Sequence, residues 1–119
     1  MKELLKKRSN VFAHKCVKLA IELPKNKLGV HIEGQLIRCS TSVAANYRAA
    51  CLGQSKRAFI SKLGIVIEEA DESIFWLEFL RDEDLAKNEK FSEILQEAKE
   101  LTSIFIASRI TALKNLNSK

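Results

Sequence analysis

The chain has 119 residues, 46% apolar and 29% charged, with 1 Pro, 4 Gly and 3 Cys. That fits one globular domain with a core of its own and excludes disordered, collagen-like and disulfide-framework proteins. Net charge is +5, placed unevenly: residues 1–62 carry 13 Lys and Arg against 3 acids, and residues 63–119 carry 7 against 12. No apolar run approaches the ~18 residues of a membrane span, and the opening MKELLKKRSN lacks the hydrophobic segment of a signal peptide. A soluble, cytoplasmic domain is expected. The charge asymmetry has two readings, a surface for a polyanion or oppositely charged elements that pack on one another.

Phe12, Cys16, Leu19, Ala20 and Leu23 repeat at helical spacing and predict a first helix over about 9–23. Ser9 or Asn10 is the candidate N-cap, and Leu4 and Leu5 are a possible N-terminal extension. Pro24-Lys25-Asn26-Lys27 followed by Gly29 reads as a loop. A second helix is expected over about 32–52. Leu36, Ser40, Val43, Tyr47 and Ala50 share one face there, with small residues that let a neighbouring helix come close. Gly53 is the expected stop and Ser55 the next cap.

The third helix, about 56–81, carries the stripe Phe59, Leu63, Val66, Ile67, Ala70, Ile74 and Leu77. Arg81-Asp82-Glu83-Asp84 makes a polar corner. A fourth helix over about 88–116 presents Phe91, Ile94, Ala98, Leu101, Phe105 and Ala112, ahead of the tail Asn117-Ser118-Lys119. Four helices with short connections in a chain of this length predict an all-α, antiparallel up-down four-helix bundle spanning 1–119 as one domain.

The third helix carries more apolar surface than one core takes. Ile65, Trp76 and Phe79 lie roughly opposite its main stripe, and Ile104-Phe105-Ile106 pose the same problem in the fourth. A second apolar face on a small domain marks a partner surface, commonly a further copy of the chain. The competing reading is that Trp76 covers a helix end. The second helix has a polar second face instead, with Arg38, Ser42 and Asn46 every four residues. Glu69 and Glu72 of the third helix are its natural counterparts, because a guanidinium between carboxylates fixes helix register. The alternative for the same residues is an acid–base pair in a cleft.

Motifs for catalysis and cofactors are missing. His14 and His31 have no acid three positions before them, so the Glu-x-x-His pattern of di-iron bundles is absent. Glu68, Glu69 and Glu72 read as ordinary helix-surface acids. Cys16, Cys39 and Cys51 lack C-x-x-C spacing and read as small buried residues. Gly29 and Gly34 do not form a phosphate loop. No metal, cofactor or small-molecule substrate is expected, and the aromatics read as core and interface rather than a base-stacking platform.

Residues 38–50, Arg-Cys-Ser-Thr-Ser-Val-Ala-Ala-Asn-Tyr-Arg-Ala-Ala, resemble the helix-two signature of the four-helix-bundle proteins encoded in 23S rRNA intervening sequences, a bacterial family also labelled S23 ribosomal protein. The resemblance continues through Ser55-Lys56-Arg57-Ala58-Phe59-Ile60-Ser61-Lys62-Leu63 and through Ile67-Glu68-Glu69-Ala70-Asp71-Glu72-Ser73-Ile74-Phe75-Trp76-Leu77-Glu78. Arg8-Ser9-Asn10-Val11-Phe12-Ala13 looks like the family's opening, so the resemblance covers essentially the whole chain. Ala49 departs from it, standing where many members carry an acid. The resemblance implies a left-handed up-down bundle assembling as a ring-shaped homopentamer. A related branch, the accessory proteins of diversity-generating retroelements, works with a reverse transcriptase and uses a basic pentamer surface.

The reading that follows is a non-enzymatic, self-assembling bundle that binds RNA or DNA through phosphates. Lys2, Lys6, Lys7 and Arg8 form one candidate cluster, and Arg48, Lys56, Arg57 and Lys62 another at the helix two–three turn. The alternative is a protein–protein scaffold in which the basic residues serve solubility and subunit pairing.

Overall fold

The computed structural model describes residues 1–53 and 55–117 and consists of α1 (Lys2–Ile21), α2 (Lys27–Cys51), α3 (Lys56–Asp82) and α4 (Glu89–Asn117). No strand occurs among the described residues; the expected tail residues Ser118 and Lys119 lie outside them. Side-chain oxygens set three of the four helix starts. Asn26 Oδ1 accepts from the Gly29 N–H at 2.9 Å, Ser55 Oγ from the Ala58 N–H at 3.1 Å, and Asn88 Oδ1 from the Phe91 N–H at 2.8 Å. Each satisfies a first-turn donor that the helix itself leaves open.

Two boundaries differ from the sequence expectation. Helix α1 begins at Lys2, seven residues earlier, and Ser9 is not a cap. Ser9 is fully buried inside the helix, where its hydroxyl donates to the Leu5 carbonyl at 2.7 Å. That back-bond removes the cost of a buried hydroxyl, and Leu5 adds one more core position to the α1 stripe. Helix α2 begins at Lys27, so Gly29 belongs to its first turn rather than to a loop. Its Cα lies against the Pro24 carbonyl, so closely that a Cβ would sit 1.9 Å from that oxygen. At the polar corner, Asp84 takes a left-handed conformation (φ 63°) and the Leu85 N–H returns to the Leu80 carbonyl at 2.9 Å. This is a Schellman-type stop with Asp in the place glycine usually fills.

Helix α1 packs on α2, α2 on α3, α3 on α4, and α4 closes back onto α1. The result is a rod of 53 × 21 × 20 Å. All four helices feed one core that includes Phe12, Leu36, Tyr47, Leu63, Leu77 and Phe105, with the Tyr47 and Phe105 rings 5.2 Å apart. At one end of the rod, Lys2, Gly53, Lys56 and Asn115 line a single depression. The starts of α1 and α3 and the ends of α2 and α4 therefore meet there.

Candidate functional site

The α2–α3 seam carries a continuous polar chain. Arg38 Nη1 donates to the Glu69 carboxylate at 3.2 and 3.3 Å, and its Nη2 donates to Glu72. Ser42 Oγ donates to Glu69 at 3.2 Å, and Asn46 Nδ2 donates to Ser42 Oγ at 2.8 Å. From the other side, Trp76 Nε1 donates to Glu72 at 3.2 Å. The Arg38 guanidinium, through its hydrogen bond, holds the Glu72 carboxyl below its ordinary range, with the Trp76 indole adding to the effect. A carboxylate held ionised by two donors acts as an acceptor that locks two helices in register. The geometry thus favours that reading over an acid–base pair. Sequence reasoning placed Trp76 elsewhere and missed its part in this chain.

The eight basic residues of interest fall into four settings. Lys2 and Lys56 sit at the end of the rod, with Lys2 Nζ 4.5 Å above the Phe59 ring. Lys6, Lys7 and Arg48 line a groove of about 750 Å³ between α1 and α2. Lys6 shares its charge there with Glu3 at 2.7 Å. Arg57 and Lys62 are exposed on the first two turns of α3 and, among the described residues, have no carboxylate partner. Arg8 is the exception. Its Nε and Nη2 grip Glu97 of α4 at 3.0 and 2.6 Å, and Nη2 also reaches Glu100 at 3.3 Å. The pairing with Glu97 raises its pKa above the usual arginine value and neutralises it. Arg8 therefore leaves the list of free cations and serves instead to tie α1 to α4.

Three groups near these cations escaped the sequence reading. His14 lines the α1–α2 groove. Arg109 reaches the α3 start, where its Nε donates to the Ile60 carbonyl at 3.3 Å, and Lys114 lies in the last turn of α4. Counted at the end of the rod, segments 1–10, 45–64 and 105–117 hold ten Lys and Arg against one acid, Glu3. The rest of the described chain holds nine against fourteen acids.

The second apolar face of α3 is smaller than expected. Trp76 and Phe79 are half-buried against the core rather than turned away from it. Trp76 meets His31 edge-on at 5.5 Å, and its centroid lies 6.0 Å from that of Phe79. Being held to Glu72 and His31 of their own chain, these rings are part of the α2–α3 seam. The side chain that projects is their neighbour Phe75, 53% exposed, and Ile65 is 37% exposed.

Cys16 and Cys39 are buried, and desolvation pushes both thiols above the usual range. No group of three or more His, Cys, Asp or Glu placed to hold a metal occurs among the described residues. Among the same residues no helix is long and apolar enough to cross a membrane.

Comparison with known proteins gives a family and a fold. The model of the family described as 23S rRNA-intervening sequence protein matches residues 3–107. A crystal structure of a protein of unknown function from the S23 ribosomal protein family of Bacteroides thetaiotaomicron is 32% identical. The match covers 92% of this chain and 98% of that one, with a TM-score of 0.83. No curated protein matches the chain.

Proposed function

The chain belongs to the 23S rRNA-intervening sequence protein family, and from that premise we propose that it is a non-enzymatic, antiparallel up-down bundle that binds the phosphate backbone of RNA or DNA through its basic end. One observation carries this reading: folding gathers ten Lys and Arg against a single acid at one end of the rod. Several of these cations, Lys7, Arg48, Lys56, Arg57 and Lys62, have no carboxylate partner among the described residues. Unpaired cations clustered on a small surface attract polyanions and release counterions on binding. A reverse transcriptase, the partner of the related retroelement branch, is kept here only as a candidate protein partner.

The second reading, a protein–protein scaffold, is favoured by exposed Phe75 and Ile65. The two are compatible if copies associate through α3, with a ring of five as the proposed form, because repetition would multiply the basic end by avidity.

The test is equilibrium binding to unstructured RNA and DNA at stepped salt. Affinity should fall with a log–log slope of about −0.7 to −0.9 per neutralised phosphate. Replacing Lys56, Arg57 and Lys62 together by alanine should weaken binding and flatten the slope. Arg8→Ala should change affinity less than about twofold, since that charge is already spent on Glu97. Absence of binding by the unaltered protein at ~50 mM salt would overturn the nucleic-acid reading and leave the scaffold.

A further inference from the structure

The α1–α2 groove says which form of nucleic acid the basic end takes, an inference that rests on the reading above. Its floor is made of Ala13, Val17, Ala44 and Ala45, so side chains that would fill the seam are missing. Its rim carries Lys6, Lys7, His14 and Arg48, with Asn10 and Thr41 between them and Glu3 as the one acid, already paired with Lys6. Lys7 and Arg48 have no carboxylate partner among the described residues. The Thr41 hydroxyl is committed to the Ile37 carbonyl at 2.7 Å.

The residues along α1 run from Glu3 to Val17, which is about 21 Å at the helical rise. A seam between two packed helices, whose axes stand ~8–10 Å apart, is too narrow to admit a duplex. It is wide enough for one extended phosphodiester chain. No Phe, Tyr or Trp lines the groove, so it offers no ring for a base to stack on.

We propose that the α1–α2 groove seats a single nucleic-acid strand, phosphates inward on Lys7 and Arg48 and bases outward, and discriminates against duplex by width rather than by reading bases. The chemistry recognised is the phosphodiester backbone, which RNA and DNA share.

The experiment compares 12-nucleotide oligo-U, oligo-dT and a 12-base-pair duplex at ~50 mM salt by fluorescence anisotropy, on the unaltered protein and three variants. Ala45→Trp fills the groove without touching charge, at an exposed helix position where a larger side chain does not enter the core. Lys7→Ala/Arg48→Ala removes the rim cations. Lys56→Ala/Arg57→Ala/Lys62→Ala removes charge outside the groove. Circular dichroism and thermal melts verify that each is folded.

The expected result is single-strand binding about tenfold or more tighter than duplex, with oligo-U and oligo-dT within about threefold of each other. Ala45→Trp should cost single-strand affinity about tenfold at an unchanged salt slope. The Lys7/Arg48 pair should lower affinity and reduce the slope by about 1.4, two phosphates' worth for a single strand. Duplex preference, or full single-strand affinity in folded Ala45→Trp, would overturn the groove. If affinity then fell only in the Lys56/Arg57/Lys62 variant, nucleic-acid binding would stand with its site at the helix turn. No binding of any oligonucleotide by the unaltered protein would instead remove the underlying reading.

Discussion

Replacing Gly29 by alanine puts a methyl group where the chain has already placed a carbonyl. The added Cβ would lie 1.9 Å from the Pro24 oxygen and 2.9 Å from its carbon, both backbone atoms with no rotamer to relieve the contact. It would also come within 3.3 Å of Asn26 Oδ1, the oxygen that caps α2. Relief therefore requires the 24–26 loop to swing away from the helix. Overpacking of this kind costs about 1–3 kcal/mol, and a weakened N-cap costs up to ~1 more. Against this stands the gain of ~1 kcal/mol for Ala over Gly in a helix, so a net loss of about 1–3 kcal/mol is expected. Gly34, five residues on in the same helix, supplies the control, because nothing lies within 4 Å of its Cβ position. Gly34→Ala should stabilise by about 0.5–1 kcal/mol. Urea unfolding followed by Trp76 fluorescence and far-UV circular dichroism measures both, with m-values expected to stay constant. Equal stability of the two alanine variants would refute the argument that the Pro24 carbonyl clamps the start of α2.

Two further predictions concern the α3 surfaces. A double-mutant cycle of Arg38→Ala and Glu72→Ala should give a coupling of about 0.5–1 kcal/mol, the scale of a half-exposed pair; strict additivity would mean the two are solvated independently. Because the folded state lowers the Glu72 carboxyl's pKa, the stabilisation is fully present above its unfolded value. It is lost as pH falls through the folded one, so the coupling should vanish in acid unfolding series run below the usual carboxylate range. Multi-angle light scattering at micromolar concentration tests self-association: a mass above the 13.5 kDa of one chain is expected, and Phe75→Ala should reduce it. Trp76→Ala should cost stability through the seam instead. A clean 13.5 kDa mass for the unaltered protein would remove the ring.

How far the sequence reaches is clear from particular residues. Ser55 was legible as a cap because a hydroxyl three residues before a helical N–H has one obvious use there. Ser9 was misread because the same hydroxyl closes equally well on the carbonyl four residues back, and only the burial of Leu5 and Ser9 together decides between them. Arg38 could be matched to Glu69 and Glu72 because adjacent helices joined by a short turn bring their polar second faces together. Arg8 could not be matched to Glu97: the partner stands 89 residues away, on a helix that returns only when the bundle closes. Phe75 and Trp76 differ by one position, or about 100° around the helix. That is within the error of assigning a stripe by eye, yet it separates an exposed ring from one held in the seam.

The same distinction governs the charge. Dividing the chain at residue 62 makes a basic half and an acidic half, and it assigns Arg109 and Lys114 to the acidic side. In the folded rod these two join the basic end, Arg8 is neutralised, and Lys15, Lys18, Lys25 and Lys27 belong to the remainder with fourteen acids. Helix dipoles do not account for the field at that end. Two helix starts and two helix ends meet there, so partial charges of about +0.5 and −0.5 offset one another in pairs. What remains is side-chain charge, held on the groove rim by Lys7 and Arg48 and on the first turns of α3 by Lys56, Arg57 and Lys62. Alanine substitution at these positions therefore removes the field itself and leaves the backbone that positions it unchanged.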